Sequence, residues 1–333
     1  MALRRHILFL ACGSLLAARV LAVDTPPRLF FSDAKLSFLV PDPWEVPSSF
    51  PFGPLLTRKT QEGTDAFVVC QISDPVDSSR LSADISTDTL KEFATHDLSS
   101  RNTGARVLAT TARTLAGQNA YEVTWLNEGP EGVTQTQSIY FFMDNRFYHL
   151  SLRANRDSFP WIVQDFQNWL LSVRLLNRQD SGKLDDPAHG GVWVHQTGGV
   201  KITIPDDWLI GVADDRQVGA TIVRDKMHLA FSAVVDVSSP AAQGMAAVEK
   251  EEAQKTLEKD YKIIAQSEEP FHGLPALELD YEGTVDGRFV RGEDLWVSSP
   301  KARWLISVDG DSRLLRQLSD EWQGILSDIH FYE

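Results

Sequence analysis

The tetrad Pro-Asp-x-Trp closes an alternating apolar run twice in this chain, and a strand-exit signal that occurs twice commits the chain to a duplicated fold. The first copy is Pro41-Asp42-Pro43-Trp44 after Leu36-Ser37-Phe38-Leu39-Val40. The second is Pro205-Asp206-Asp207-Trp208 after Val200-Lys201-Ile202-Thr203-Ile204. Proline removes a ladder donor, so each tetrad reads as the end of a strand with the tryptophan turning back into a core.

The pattern around the tetrads repeats as well. Arg28-Leu29-Phe30-Phe31-Ser32 and Val192-Trp193-Val194-His195-Gln196 precede them as first hairpin strands, the second joined through Gly198-Gly199. An irregular stretch follows each tetrad (Pro47, Pro51 and Pro54 in the first copy), then a strand, 66–72 in one copy and 229–237 in the other. A helix is expected over roughly 86–98, capped by Ser86 or Thr87, and another from Pro240 to about Tyr261, with Glu251 and Lys255 spaced to pair. Gly117-Gln118-Asn119-Ala120-Tyr121-Glu122-Val123 then matches Gly273-Leu274-Pro275-Ala276-Leu277-Glu278-Leu279, each a turn entering a strand with one apolar face. Ile139-Tyr140-Phe141 matches Leu295-Trp296-Val297, and Tyr148 to Leu152 matches Trp304 to Val308. Each copy closes with an amphipathic helix, carried by Phe159, Ile162, Phe166 and Trp169 in the first and by Leu315, Leu318, Trp322 and Ile325 in the second. Residues 177–190, polar with Gly and Pro, read as a linker.

The first residues read as a processing segment rather than fold. Arg4-Arg5 begins it, Ile7 to Ala22 is apolar apart from Ser14 and Arg19, and small residues precede Val23. Residues 1–22 are therefore expected to be a signal peptide, placing the rest in the periplasm or outside the cell. Cys12 as a lipoprotein cysteine and Arg4-Arg5 as a twin-arginine signal are the rival readings. No second apolar run is long enough for a membrane-spanning helix. The chain carries a formal charge of −14, and residues 177–333 hold 28 acidic against 16 basic side chains. Such a surface repels phosphates, which excludes nucleic acid as an expected partner. Cys70, within Phe67 to Ile72, reads as a small buried hydrophobe without a disulfide partner.

The strand ending in Pro-Asp-x-Trp, the mid-domain helix, the Gly-x-x-Ala-x-Glu strand entry, the aromatic strands and the closing helix together resemble the PsbP-type family, which includes the PsbP, Mog and DcrB proteins. The resemblance spans nearly all of residues 28–176 and 191–333. It implies an α+β chain of two tandem α/β/α sandwich domains, 27–176 and 191–333, each an antiparallel sheet flanked by helices. It also implies that the chain binds or assists other proteins without chemistry of its own.

Catalytic and metal templates fail one by one. No Gly-x-Ser-x-Gly is present, and Ser32-Asp33-Ala34-Lys35 matches Ser-x-x-Lys without its companion motifs. His189 and His195, with Asp185-Asp186, lack spacing that fixes a tetrahedral site. Asp309-Gly310-Asp311-Ser312-Arg313 resembles a calcium loop but puts arginine where a ligand belongs, so it reads as a turn and helix cap. Asp206-Asp207 and Asp214-Asp215 are adjacent pairs pointing apart. The paired aromatics Trp44 and Trp208, Tyr140 and Trp296, Tyr148 and Trp304, Trp169 and Trp322, with Trp125, fit a duplicated core better than a ligand groove. The sequence thus assigns no catalytic, cofactor-binding or metal residue and no cofactor. It points to an exported, non-catalytic binding or assembly-accessory protein of the bacterial cell envelope, acting on another envelope protein. The alternatives are an envelope hydrolase or metal-dependent enzyme with a site at the repeat interface, and a small-molecule carrier.

Overall fold

The computed structural model describes residues 26–31, 35–47, 55–59, 65–73, 76, 85–101, 104–129, 132–176, 183–237, 261–285 and 288–332. The expected signal peptide and the expected helix from Pro240 to Tyr261 fall outside these residues, apart from Tyr261, which is not helical.

Strands dominate. The first half of the chain contains β1 (Arg28–Phe31), β2 (Leu36–Leu39), β3 (Leu56–Lys59), β4 (Asp65–Ile72), α1 (Thr87–Arg101), β5 (Arg106–Leu115), β6 (Gln118–Gly129), β7 (Gly132–Met143), β8 (Arg146–Asn155), α2 (Phe159–Ser172) and β9 (Arg174–Leu175). The second contains β10 (Lys183–His195), β11 (Val200–Ala213), β12 (Gln217–Arg224), β13 (Met227–Asp236), β14 (Lys262–Ser267), β15 (Ala276–Val285), β16 (Arg288–Ser298), β17 (Arg303–Asp311), α3 (Ser312–Gln317), α4 (Ser319–Ser327) and β18 (His330–Phe331).

These strands form two sheets. A six-stranded sheet runs β3-β4-β8-β7-β6-β5. In the larger sheet the segment β12-β13-β17-β16-β15-β14 has the same order, and the sheet then continues through β11, β10, β1, β2 and β9. The hairpin β1–β2, expected to open a sheet of its own half, instead lies in this second sheet. There β1 pairs in parallel with β10 in the register Leu29↔Val192, Phe30↔Trp193 and Phe31↔Val194. The reason lies in its composition. All three apolar residues of β1 are buried, so the strand needs cover on both faces. Leu29 and Phe31 join the core of the first half, while Phe30 joins the core built around Trp193, Trp208 and Trp304. Val194 from β10 is buried in the first half's core in return.

The ends of the two halves are held alike. After α2, β9 pairs with β2 (Leu36↔Leu175), and Leu176 N–H donates to Lys35 O at 2.8 Å. After α4, β18 pairs with β11 (Val200↔Phe331), and Tyr332 N–H donates to Gly199 O at 2.7 Å.

Three further expectations are corrected. Pro205-Asp206-Asp207-Trp208 does not end a strand. β11 runs on through it to Ala213, and only the ladder with β10 is interrupted, between Ile204 and Leu209. Proline here costs pairing at one step, while Leu209 to Ala213 regain a partner in β12, the stretch expected to be irregular. Both tetrad tryptophans do turn inward, Trp208 completely and Trp44 nearly so. The expected linker is half strand: residues 183–190 belong to β10, with Ala188↔Ile210 and His189↔Leu209 in register, while 177–182 lie outside the described residues. The closing helix of the second half is divided at Leu318 into α3 and α4.

α1 and α2 cover opposite faces of the six-stranded sheet. Alternation sets this: Tyr121, Val123, Trp125 and Tyr140 pack under Leu90, Ala94 and Leu98 of α1. Ala120, Phe141, Leu150 and Leu152 pack with Phe166 and Trp169 of α2. Cys70 lies against this second core, and desolvation pushes its thiol far above the usual range, as suits an unreactive packing residue.

Candidate functional site

The α1 face of the six-stranded sheet is laid out in rows by its antiparallel register. One row reads Tyr121–Tyr140–His149–Gln71 across β6, β7, β8 and β4, and the next Val123–Ser138–Ser151–Val69. Polar side chains therefore sit beneath a helix, and each must find a partner. Asp97 of α1 supplies the centre of their network. Tyr140 OH donates to Asp97 Oδ2 at 3.1 Å, and His149 Nδ1 stands 3.6 Å from the same oxygen and 3.1 Å from Gln71 Oε1. His149 Nε2 is 2.9 Å from Ser138 Oγ, which accepts the Trp125 indole N–H at 3.2 Å. His149 also stacks on Tyr140 with ring centroids 4.4 Å apart. Gln71 Oε1 can only accept, which places the imidazole proton on Nδ1 and leaves Nε2 to accept from the Ser138 hydroxyl.

Serine, histidine and aspartate in this order resemble a hydrolytic triad, which no sequence motif announced. Ser138 is fully buried, however, and an acyl donor has no approach to its oxygen. The geometry seats a helix. The corresponding row of the second half, Leu277–Trp296–Leu305–Val234, is apolar throughout, so the fold does not require the polar set.

Beside this network α1 and β5 bound an open cleft of about 220 Å³. Thr95, Leu98 and Ser99 of α1 form one wall, Val107 and Thr110 of β5 the other, and Tyr121 and Val123 the floor. β5 is the last strand of its sheet, and its first seven residues are all exposed. An exposed sheet edge offers a row of backbone donors and acceptors to an added strand. Here that edge runs alongside an apolar recess. The cleft lies within the first half rather than between the halves. It is also smaller than the roughly 300–1,000 Å³ typical of drug-sized ligand pockets, so it suits a single apolar side chain better than a whole ligand.

A second cluster lies on the helix-covered face of the large sheet. Asp280 and Glu293 face each other across β15 and β16, with Glu278 diagonal to them, and carboxylate oxygens of all three come within 4.8 Å of one another. Arg291 donates to Asp280 at 2.7 Å, and the Trp322 indole donates to Glu293 at 2.6 Å. Burial, then the neighbouring acids, pushes the carboxyls of Glu293 and Glu278 above the usual range. Three oxygen-donor side chains suit a hard divalent cation in principle. The first half answers the same place differently: Arg113 donates to Glu122 at 2.6 Å, and Gln137 also donates to Glu122. Sequence reading weighed only adjacent acid pairs, and these carboxylates are neighbours only across strands.

A raised carboxyl implies that stability falls as pH rises from the ordinary carboxylate range through the raised value, because the folded state holds the proton longer. Glu293→Gln, which copies Gln137 and keeps an acceptor for Trp322, is expected to raise the melting temperature at neutral pH by about 1–3 °C and to flatten its pH dependence. Scanning calorimetry with and without calcium or manganese checks this. A lower melting temperature, restored in the wild type alone by the ion, would identify the cluster as a cation site.

Most of the side chains weighed from sequence are structurally engaged, and those of Asp185 and Asp186 lie outside what the structure describes. His195 accepts the Gly198 N–H at Nδ1 (2.8 Å) and meets Asp215 O at Nε2 (2.9 Å), leaving neither nitrogen for a metal, while His189 is exposed on β10. Asp207 pairs with Arg224, and Asp214 accepts the Arg216 and Gln217 N–H groups in a turn. Asp311 caps α3 through the Arg313 and Leu314 N–H groups. Lys35 pairs with Asp144, and Ser32 lies outside the described residues. Trp44, Trp125, Trp169, Trp208, Trp296, Trp304, Trp322, Tyr140 and Tyr148 are all buried. Among the described residues, no helix is long and apolar enough to cross a membrane.

No family model matches the chain, and no curated protein matches it. Similar solved structures include the PsbP of the cyanobacterium Synechocystis, at 16% identity over 49% of this chain and 99% of that one, TM-score 0.31. LpqN of Mycobacterium tuberculosis, involved in cell envelope biogenesis, is 15% identical over 42% and 82%, TM-score 0.32. The T6SS immunity protein TplEi of Pseudomonas aeruginosa is 11% identical over 90% and 95%, TM-score 0.25.

Proposed function

We propose that this chain is an exported, non-catalytic binding protein of the cell envelope, made of two PsbP-like repeats (27–176 and 191–333). In this reading it holds an extended segment of a partner protein along β5. The observation that carries the proposal is the apolar cleft lying directly beside an exposed sheet edge that no other strand pairs among the described residues. Strand addition supplies backbone hydrogen bonds without regard to sequence, and the adjoining recess selects one apolar side chain. Export rests on the apolar N-terminal segment with its paired arginines, and the tandem repeats on the doubled Pro-Asp-x-Trp pattern.

The test is a fluorescein-labelled peptide alternating threonine with valine around one central leucine, followed by fluorescence anisotropy. Binding is expected for the wild type. Val107→Glu sets a carboxylate at the mouth of the cleft on a half-exposed residue, and should weaken binding by about tenfold or more with the melting temperature unchanged. A partner recovered from the envelope with tagged protein should compete with this peptide. A peptide that does not bind, or that binds Val107→Glu equally well, would sink the proposal.

A metal-dependent activity is the second reading, favoured by the carboxylates of Glu278, Asp280 and Glu293. Stoichiometric metal in purified protein, together with turnover in a hydrolase substrate panel, would put it first.

A further inference from the structure

α2 buries one face and leaves the opposite one bare. Phe159, Ile162, Phe166, Trp169 and Leu170 point into the core of the first half. On the far side Trp161, Gln164, Asn168 and Leu171 are exposed, Trp161 to 82% and Leu171 to 71%. Steps of three, four and three place these four in one row, the spacing of a coiled-coil seam. None of them is charged, whereas a helix face that meets only water ordinarily carries charge. The closing helices of the second half follow that rule: α3 and α4 expose Arg313, Arg316, Asp320 and Gln323 and no large apolar side chain. The fold therefore does not require a bare tryptophan at this place.

We propose that the row is where a second copy of the chain docks, its α2 running antiparallel to the first across a two-fold axis at residue 166. The row is self-complementary, as a two-fold contact demands. Trp161 and Leu171 lie equally far from residue 166, and so do Gln164 and Asn168. Trp161 therefore packs on Leu171 of the second copy, and Gln164 meets its Asn168. Within one chain Gln164 Nε2 donates to Asn168 Oδ1 at 3.1 Å. Gln164 Oε1 and Asn168 Nδ2 supply the acceptor and the donor that the second copy matches, and a polar pair inside an apolar seam fixes its register.

The ends match in charge as well. Antiparallel helices set the first turn of one beside the last turn of the other, where dipole ends of opposite sign meet. Asp157, exposed just before α2, comes beside Arg174 of the second copy, exposed just after it. The Arg174 guanidinium is held at that end by donating to Leu171 O at 2.8 Å and Val173 O at 3.0 Å. α2 and the β5 cleft lie on opposite faces of the six-stranded sheet, so this contact stands or falls independently of the peptide site. A row of about 15 Å gives a contact at the small end of specific interfaces, and the dimer should be a reversible one.

Sedimentation equilibrium of residues 23–333, the expected exported form, tests this between roughly 1 and 500 μM, where weak specific contacts form. The wild type should pass from one chain to two as concentration rises. Trp161→Glu and, separately, Leu171→Gln change exposed side chains and should weaken association by about tenfold or more, with the melting temperature of the dilute protein unchanged. Asp157→Arg and Arg174→Asp should each weaken it, and the variant carrying both should recover association, because the reversed charges again meet as opposites across the axis. A wild type that stays monomeric throughout, an association untouched by Trp161→Glu, or a double reversal as weak as its single changes overturns the antiparallel pair. Monomeric protein whose tryptophan emission shifts to the blue with phosphatidylcholine vesicles, and no longer does so in Trp161→Glu, would assign the row to a lipid surface and overturn the dimer as well.

Discussion

Phe30→Ala is expected to destabilise the protein by about 3–5 kcal/mol and to do so mainly in the half of the chain to which Phe30 does not belong in sequence. Its ring is fully buried and packs in the cluster that holds Trp193, Trp208 and Trp304. Truncation leaves a void between β1 and a core assembled from β10 to β17, and a well-packed interior closes such a void only in part. Urea unfolding followed by tryptophan fluorescence gives the size of the loss, and residue-level hydrogen exchange gives its place. Protection should fall first in β13 and β17. If the loss instead appeared in β6 to β8, with β13 and β17 unaffected, the assignment of β1 to the second core would be wrong.

Gly191→Ala should cost a similar amount, about 2–5 kcal/mol, whereas Gly211→Ala should cost little. Gly191 has φ +144°, a region open essentially to glycine, and an added Cβ would stand 2.4 Å from the backbone oxygen of Arg28. That oxygen belongs to β1, so the only escape is to part β1 from β10. A Cβ on Gly211 meets nothing within 4 Å. Thermal melting of the two variants side by side makes the comparison, and equal melting temperatures would show that the close approach at Gly191 is not needed.

Much of the scaffold was legible from residue patterns. The Gly-x-x-Ala strand entries, the hairpin through Gly198-Gly199 and the apolar spacing of Phe159, Ile162, Phe166 and Trp169 report local preferences, and local preferences decide those elements. Where β1 pairs was not legible, because Leu29-Phe30-Phe31 says only that both faces need cover and cannot name the strand that provides it. The linker reading of 183–190 failed for a related reason: Asp, Pro, His and Gly weaken a strand, but backbone pairing to β11 outweighs them. The candidate site was the least legible part. Ser138, His149 and Asp97 come from two strands and a helix with no fixed spacing, and Glu278, Asp280 and Glu293 meet only after β15 and β16 are in register. The cleft depends on β5 being last in its sheet, a property of topology rather than of any residue in β5.

The pairing of β1 with β10 also sets a timetable. β1 is made before every other described strand, yet one of its two neighbours in the sheet, β10, starts only at residue 183. Long-range pairing must close a large loop before it gains anything. The first half therefore cannot finish folding by itself as the chain emerges. The ring of Phe30 remains uncovered apolar surface until the second half arrives, and β1 is where a holding chaperone or an aggregating neighbour would first take hold.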